Sequence, residues 1–398
     1  MKPDRKPFLT LQPHQRLAAV AGAVLLLAVL WNFWLPFAQD TYNQVTKPPL
    51  PPNVDFFAYT TAGQRFNDGA NPYYYGDAKP GSALISEYLY PPTFLPFFGA
   101  LARLPYNTAR GLWLGLYALV YLAAFAALAA GLPPEERATF AGLGVLLSAT
   151  SFPLLLHIRN GQADMLVIGL VLLSYSLYGR GWKVVSALLL AAAGLLKVSP
   201  FVLLLFYTLY LRDWRYVLYT LLAGAGLALV SLAAVPFHYY PEYVAYILPV
   251  VSGGTGYYLN QSILKYLAGN PLVAQIVSGA GLLAFAAYAG WAGRRSRCSA
   301  DFEATAMFTL NLLAVLVFQG KAWSMAYVWM ILPAALVLAH LLQHPARAWQ
   351  LLLAGGASFL MVSKIYGYPP LDSLNLFGAL LMGSLLVAMT RPGRANLP

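Results

Sequence analysis

Residues 53–92 read NVDFFAYTTAGQRFNDGANPYYYGDAKPGSALISEYLYPP, a polar and aromatic stretch set between two long hydrophobic segments. It carries Asp55, Asp68, Asp77 and Glu87, four of the fourteen acidic residues in a chain only 10% charged. The rest is 59% hydrophobic, and apolar runs long enough to cross a bilayer recur along nearly all 398 residues. With a mean hydropathy of +0.61, that is not the pattern of a soluble globular chain. The fold predicted is an all-α integral membrane protein in which this stretch is a loop held beside the bilayer.

Working outward, Lys2, Arg5, Lys6 and Arg16 precede a first span at 17–37. The positive-inside rule puts that end in the cytoplasm and residues 38–106 outside. The span is too long and too aromatic for a signal peptide and lacks a small-residue cleavage site, so it reads as a retained helix. The segment PTFLPFFGALARL at 93–105 is too short to cross alone and is expected to lie along the outer face. Further spans are expected near 107–130, 138–156, 162–178, 184–196, 200–211, 216–236, 271–292, 303–318, 325–342, 349–363 and 372–389, giving about twelve in all. Gly, Pro or charge bounds each of them. Residues 184–211 fit either two short spans or one broken one. Loop parity then places PPEER, GRGWK, RDWR, RRSR, HPAR and RPGR in the cytoplasm. With the N-terminal tail these loops hold fifteen of the 25 Lys and Arg, and both termini are cytoplasmic. A second outer loop spans 237–270, and no repeat or linker divides the single polytopic domain 1–398.

The net charge of +11 is therefore topology: the basic residues fall in ones, twos and threes between apolar spans and form no face for nucleic acid. One cysteine, Cys298, allows no intramolecular disulfide and no thiolate metal site. The five His read as scattered, with no His or Cys pair at ligand spacing and no HExxH, phosphate loop or GxSxG. No metal site is assigned, no cofactor is identified, and a divalent-metal requirement is left open.

What the outer loops do carry is single cations at helix ends: Arg159, Lys197, Lys265, Lys321 and Lys364. Such residues either snorkel to the interface or converge on an anionic headgroup. For Arg159, Lys197 and Lys265 the polar neighbours (Gln162 and Asp164, Ser199, and Asn260 with Gln261) favour the headgroup; Lys321 and Lys364 stay open between the two. His238 and Glu242 add polar groups to the second loop, where Gly253, Gly254 and Gly256 suit either a lid hinge or a plain turn. Outer carboxylates with single cations suit a transfer in which a carboxylate takes a hydroxyl proton while cations hold a departing phosphate. The rings of Phe56, Phe57, Tyr59, Tyr73, Tyr74, Tyr75, Tyr88 and Tyr90 suit either sugar stacking or an interfacial aromatic belt.

Taken in order, VDFFAYTTAGQRFNDGANPYYY, EYLYPP, RNGQAD, GLLKVSP, LRDWRY and NQSILKYL resemble glycosyltransferase family 87, polyprenol-phosphate-mannose-dependent mannosyltransferases of the GT-C superfamily. The resemblance runs over about 15–270. It implies a GT-C catalytic module at 17–270, with 271–398 as additional helices. It further implies transfer of a hexose, mannose first, from a polyprenyl phosphate to a glycolipid or glycan acceptor at the extracytoplasmic face of a bacterial plasma membrane. Asp55 corresponds to the catalytic base, and Lys197 to a phosphate contact, with Arg159 and Lys265 joining it. Asp164, where the family more often has Asn, and Glu87 are candidates for a second acid or support. Gln162, Asn260, Gln261 and His238 are candidate polar supports. The alternative class is a polytopic transporter or flippase for lipid-linked sugars, which spreads charge through the bundle's depth and often shows paired halves.

Overall fold

The structure is a computed structural model that describes residues 54–74, 88–295 and 302–390. The expected first span at 17–37, together with Tyr75, Asp77, Glu87 and Cys298, lies outside the described residues. The described residues are helical, with no strand among them. Apart from short helical segments between Tyr239 and Ser252 and other single turns, the helices in chain order are α1 (Val54–Asn67), α2 (Leu95–Ala102), α3 (Tyr106–Gly131), α4 (Pro134–Thr150), α5 (Phe152–Asn160), α6 (Asp164–Gly179) and α7 (Lys183–Leu196). There follow α8 (Ser199–Tyr210), wound partly as 3₁₀ and π turns, α9 (Trp214–Ser231) and α10 (Pro271–Arg295). The last four are α11 (Phe302–Phe318), α12 (Ser324–Gln343), α13 (Ala348–Val362) and α14 (Leu371–Met389).

Five of these, α3, α9, α10, α12 and α14, are long and apolar enough to cross a membrane, and a sixth crossing results if α4 and α5 count as one bent span. The other apolar helices are shorter, so the expectation of about twelve spans is met among the described residues by five or six that qualify on length and composition. The expected span 138–156 breaks at Ser151. Pro153 there has no N–H to continue the ladder, the Ser151 side chain caps Leu154 N at 3.1 Å, and α5 leaves α4 at 60°. Helix α12 is the centre of the bundle. Every residue from Ser324 to Ala339 is buried, as an all-round apolar helix requires.

Two ion pairs fix the path through 184–211. Asp164 at the start of α6 meets Lys197 at the end of α7 at 2.6 Å. Lys183 at the start of α7 meets Asp213, just past α8, at 2.5 Å. Helices α6, α7 and α8 therefore run up, down and up: 184–196 and 200–211 are two antiparallel passes and not one broken helix.

The same reasoning sorts the loops into two ends. Arg180 donates to Ala127 O at 2.7 Å, Glu136 contacts His340 and His344, and Tyr288 bonds Thr390 at 2.7 Å. These gather with Asp213 at one end. At the other lie Asp55, Gln162, Lys197 and Lys321, which line one cavity, with Asn260 and Gln261 bonded to Ala322 beside it.

Across the cavity end lie α1 and α2. The eight residues of α2 span about 12 Å, short of a crossing. Of the aromatic residues here, Phe57 is exposed and Tyr90 lines the cavity, while most of the others pack on one another. Phe56, Tyr59, Tyr73, Tyr74 and Tyr88 are buried and interlock: Tyr59 stacks on Phe98 at 4.9 Å and meets Trp113 edge-on at 5.8 Å. Asn71 ties the first outer loop to the second. Its Oδ1 accepts from Tyr73 N at 2.9 Å while its Nδ2 donates to Glu242 at 2.8 Å.

Candidate active site

Asp55 stands in the first turn of α1, a place where a carboxylate meets unpaired backbone N–H groups. Three elements then converge on it. The turn after α5 approaches because Gly161 is left-handed (φ +66°) and has no Cβ; one there would lie 2.7 Å from Phe56 Cβ. Trp113 Nε1 holds that turn by donating to Gly161 O at 2.7 Å. The next residue, Gln162, hydrogen-bonds the Asp55 carboxylate. Lys197 arrives from the end of α7, its ammonium 2.6 Å from Asp164 Oδ1 and 5.9 Å from the Trp329 ring centroid. Tyr90, the first residue of YPP, accepts from Tyr59 Oη at 2.8 Å, and Tyr59 Oη in turn accepts from Ala163 N at 3.2 Å.

Between these elements is a cavity of about 270 Å³. Its polar part is Asp55, Tyr90, Gln162, Lys197, Ser199, Gln319 and Lys321; its remaining wall includes Val202, Leu248, Val251, Leu282, Val315 and Phe318. Charged, polar and apolar side chains therefore share one space. Gly320, between α11 and α12, lets that connection close on the second outer loop, since a Cβ there would meet Ser252 O at 2.0 Å.

Burial is the main force on the Asp55 carboxyl, and the Asp164 charge adds to it; Lys197 and the Gln162 hydrogen bond oppose them without balancing them. The result is pushed up to about 7. A carboxylate titrating there is a far stronger base than an ordinary aspartate and is still about half ionised at neutral pH. Lys321 is half-buried, has no ion-pair partner among the described residues, and is held below the usual lysine range by burial. Several buried polar atoms around the cavity have no protein partner: Gln162 Oε1, Asp164 Oδ2, Ser199 Oγ, Gln319 Nε2 and His157 Nδ1. His157 Nε2 accepts from Met165 N at 2.8 Å, so its proton sits on Nδ1.

The other expected residues lie elsewhere. Lys265 is buried and gives its ammonium to Asp372 Oδ2 at 2.6 Å, Asp372 O at 3.1 Å and Ser373 Oγ at 3.2 Å. An ammonium has three N–H groups, so none is left for a phosphate, and the expected phosphate contact is instead a link between the second outer loop and α14. Asn260 and Gln261 are buried supports of backbone. Asn260 Nδ2 donates to Thr255 O at 2.9 Å and Gly320 O at 3.2 Å, and Gln261 Nε2 donates to Asp372 O at 2.7 Å. Asn260 thereby also holds Thr255 within the glycine run, where Gly253 and Gly254 are half-buried and Gly256 is exposed. Arg159 and His238 are exposed and do not line the cavity. In the sequence Lys321 stood no higher than Lys364, and nothing singled out Gln319 or His157; the signal available was QGK, a Gln and a Lys around a Gly between two apolar helices.

The model of glycosyltransferase family 87 matches residues 88–320, more than half of the chain. The match includes YPP, RNGQAD, LKVSP and the Gln319–Gly320 turn, and begins after Asp55. No curated protein and no solved structure matches the chain.

Proposed function

The chain belongs to glycosyltransferase family 87, and from that premise we propose that it transfers a hexose, most simply mannose, from a polyprenyl phosphate to an acceptor hydroxyl of a glycolipid or glycan at the extracytoplasmic face. The observation that carries the reading is one cavity holding a near-neutral carboxylate and two lysines at its polar end and an apolar slot beneath.

Asp55 takes the proton from the acceptor hydroxyl as its oxygen bonds to the anomeric carbon. The bond from that carbon to the phosphate oxygen breaks, and the electron pair stays with polyprenyl phosphate. Lys197 and Lys321 take up the charge that develops on the leaving phosphate, and Ser199 and Gln319 supply the polar contacts their unpartnered atoms have free. Gln162 orients Asp55. Asp164 holds Lys197 in place and so supports the phosphate site; it does not touch the reacting atoms. The prenyl chain runs between Val202, Val251, Leu282 and Phe318.

Purified protein given polyprenyl-phosphate-mannose and candidate acceptors tests this. Formation of a glycoside with release of polyprenyl phosphate is the expected result. Movement of the donor between leaflets of a vesicle with no glycoside formed would replace the transferase by a flippase.

A further inference from the structure

The end of the bundle opposite the cavity carries a second constellation. Glu136 lies in the first turn of α4 and is buried. His340, in the last turn of α12, and His344, which ends that helix, turn their rings toward it. His340 Nδ1 is 3.1 Å and His344 Nε2 is 2.7 Å from the same Glu136 Oε1. The three groups can present ligand atoms all within 4.8 Å of one another. The five His look scattered when each is read alone, but in HLLQH the pair at i and i+4 shares one helix face. Its third member comes from 204 residues earlier, beyond the reach of any local spacing.

A buried carboxylate needs a compensating charge. Among the described residues no Lys or Arg supplies it; the adjacent Arg137 turns back to donate to Leu132 O at 2.8 Å. The surroundings are otherwise fixed. Phe302 stacks flat on His340, with ring centroids 3.6 Å apart and planes at 10°. One turn on, Gln343 donates to Thr139 at 2.5 Å, holding α4 and α12 in register. His344 is 43% exposed, which leaves one side of the group open to water.

We propose that Glu136, His340 and His344 bind a divalent transition cation of the zinc class, linking the start of α4 to the end of α12. Two imidazole nitrogens and one carboxylate oxygen, with water in the fourth position, is a donor set zinc accepts, whereas magnesium and calcium prefer oxygen alone. The charge of the cation is what the buried glutamate lacks. The linked helices lead directly to the cavity: α5 continues from α4 and carries His157, and the start of α12 carries Trp329 beside Lys197.

The test uses the full-length protein in detergent, purified without a histidine tag, stripped with chelator and given zinc alone. The expected result is about one zinc per chain with a rise in unfolding temperature of about 2 °C or more, and neither effect from magnesium at the same concentration. His344→Gln, at a half-exposed position that does not threaten folding, and Glu136→Gln should each lose the zinc and the shift. Absence of stoichiometric zinc from the wild type, or zinc retained in both variants, would overturn the site and leave a glutamate held by hydrogen bonds only.

Discussion

Lys197 with Asp164 and Lys265 with Asp372 are both lysine–aspartate contacts of 2.6 Å near the same end of the bundle. In the sequence both lysines are lone cations near helix ends with polar neighbours. They differ in what remains once the pair has formed. Lys265 uses every N–H on Asp372 and Ser373, and Asp372 Oδ1 is taken by the Ser373 hydroxyl at 2.9 Å. Lys197 has one bonded partner, lines the cavity, and leaves Asp164 Oδ2 buried without a partner. A saturated pair fastens chain segments together; an unsaturated pair beside a cavity retains the capacity to bind. Substitutions that separate these two roles test the comparison.

The largest effect is expected at Asp55, the group that the unsaturated pair serves. Asp55→Asn keeps the size and the hydrogen bond to Gln162 but removes the base. The turnover number should fall by about 10² to 10⁴ while binding of polyprenyl-phosphate-mannose, read by fluorescence or calorimetry, stays unchanged. In the wild type, kcat/KM should drop as pH falls below about 7, the value to which Asp55 is raised. The sign separates this from acid unfolding. A carboxyl raised on folding binds more protons in the native state, so between its ordinary value of 3.8 and about 7 its contribution to stability grows as pH falls. Activity and this contribution therefore move in opposite directions. An acidic limb that persists in Asp55→Asn would assign the titration to another group.

Next comes the unsaturated pair itself. Lys197→Met alone strands the fully buried Asp164, which should cost about 3 kcal/mol or more of stability, so its kinetics alone cannot report on phosphate. The informative variant is Lys197→Met with Asp164→Asn. Thermal unfolding should return close to wild type, while donor affinity falls about 10-fold to 100-fold for the lost charge-assisted bond. Unchanged donor affinity in the folded double variant would make this pair as purely structural as the other.

Much of the frame was legible in the sequence. Apolar runs bounded by Gly, Pro and charge gave helix limits within a few residues, and α2 came out short as its length implied; α7 and α8 proved separate, one of the two readings open for 184–211. The break at Ser151 was missed although Pro153 announces it, because a hydropathy run ignores the backbone donor that proline lacks. Asp55 was singled out by the family resemblance, and it does line the cavity. What the sequence does not hold is partner identity. Nothing near Lys265 points to Asp372, 107 residues away, and nothing near Lys197 shows that Asp164 claims only one of its donors. Buried tyrosines were equally opaque: a ring destined for another ring reads the same as one destined for a sugar or a headgroup.

Lys321 sharpens the comparison from the other side, since it is a cavity lysine with no paired carboxylate among the described residues. Lys321→Met should therefore raise KM for the donor by up to about tenfold with no loss of thermal stability. A marked fall in unfolding temperature would reveal a structural partner and place Lys321 with Lys265.

The smallest effect on transfer is expected from the saturated pair. Lys265→Met alone leaves a buried carboxylate uncompensated and should destabilise by about 3 to 5 kcal/mol, a loss that lowers activity only through the folded fraction. Adding Asp372→Asn removes the stranded charge. The loop remains attached, because Gln261 Nε2 still donates to the Asp372 backbone oxygen at 2.7 Å and Gln261 N to Ala322 O at 2.6 Å. Replacement of a whole buried pair by uncharged groups is often neutral or stabilising, so the double variant should unfold near the wild-type temperature. Its kcat and donor KM should stay within about twofold, well inside the change that loss of one charge-assisted bond produces. If instead it lost donor affinity as severely as Lys197→Met with Asp164→Asn, Lys265 would have to exchange Asp372 for phosphate when donor arrives, and a filled inventory of hydrogen bonds would no longer mark a lysine as structural in this bundle.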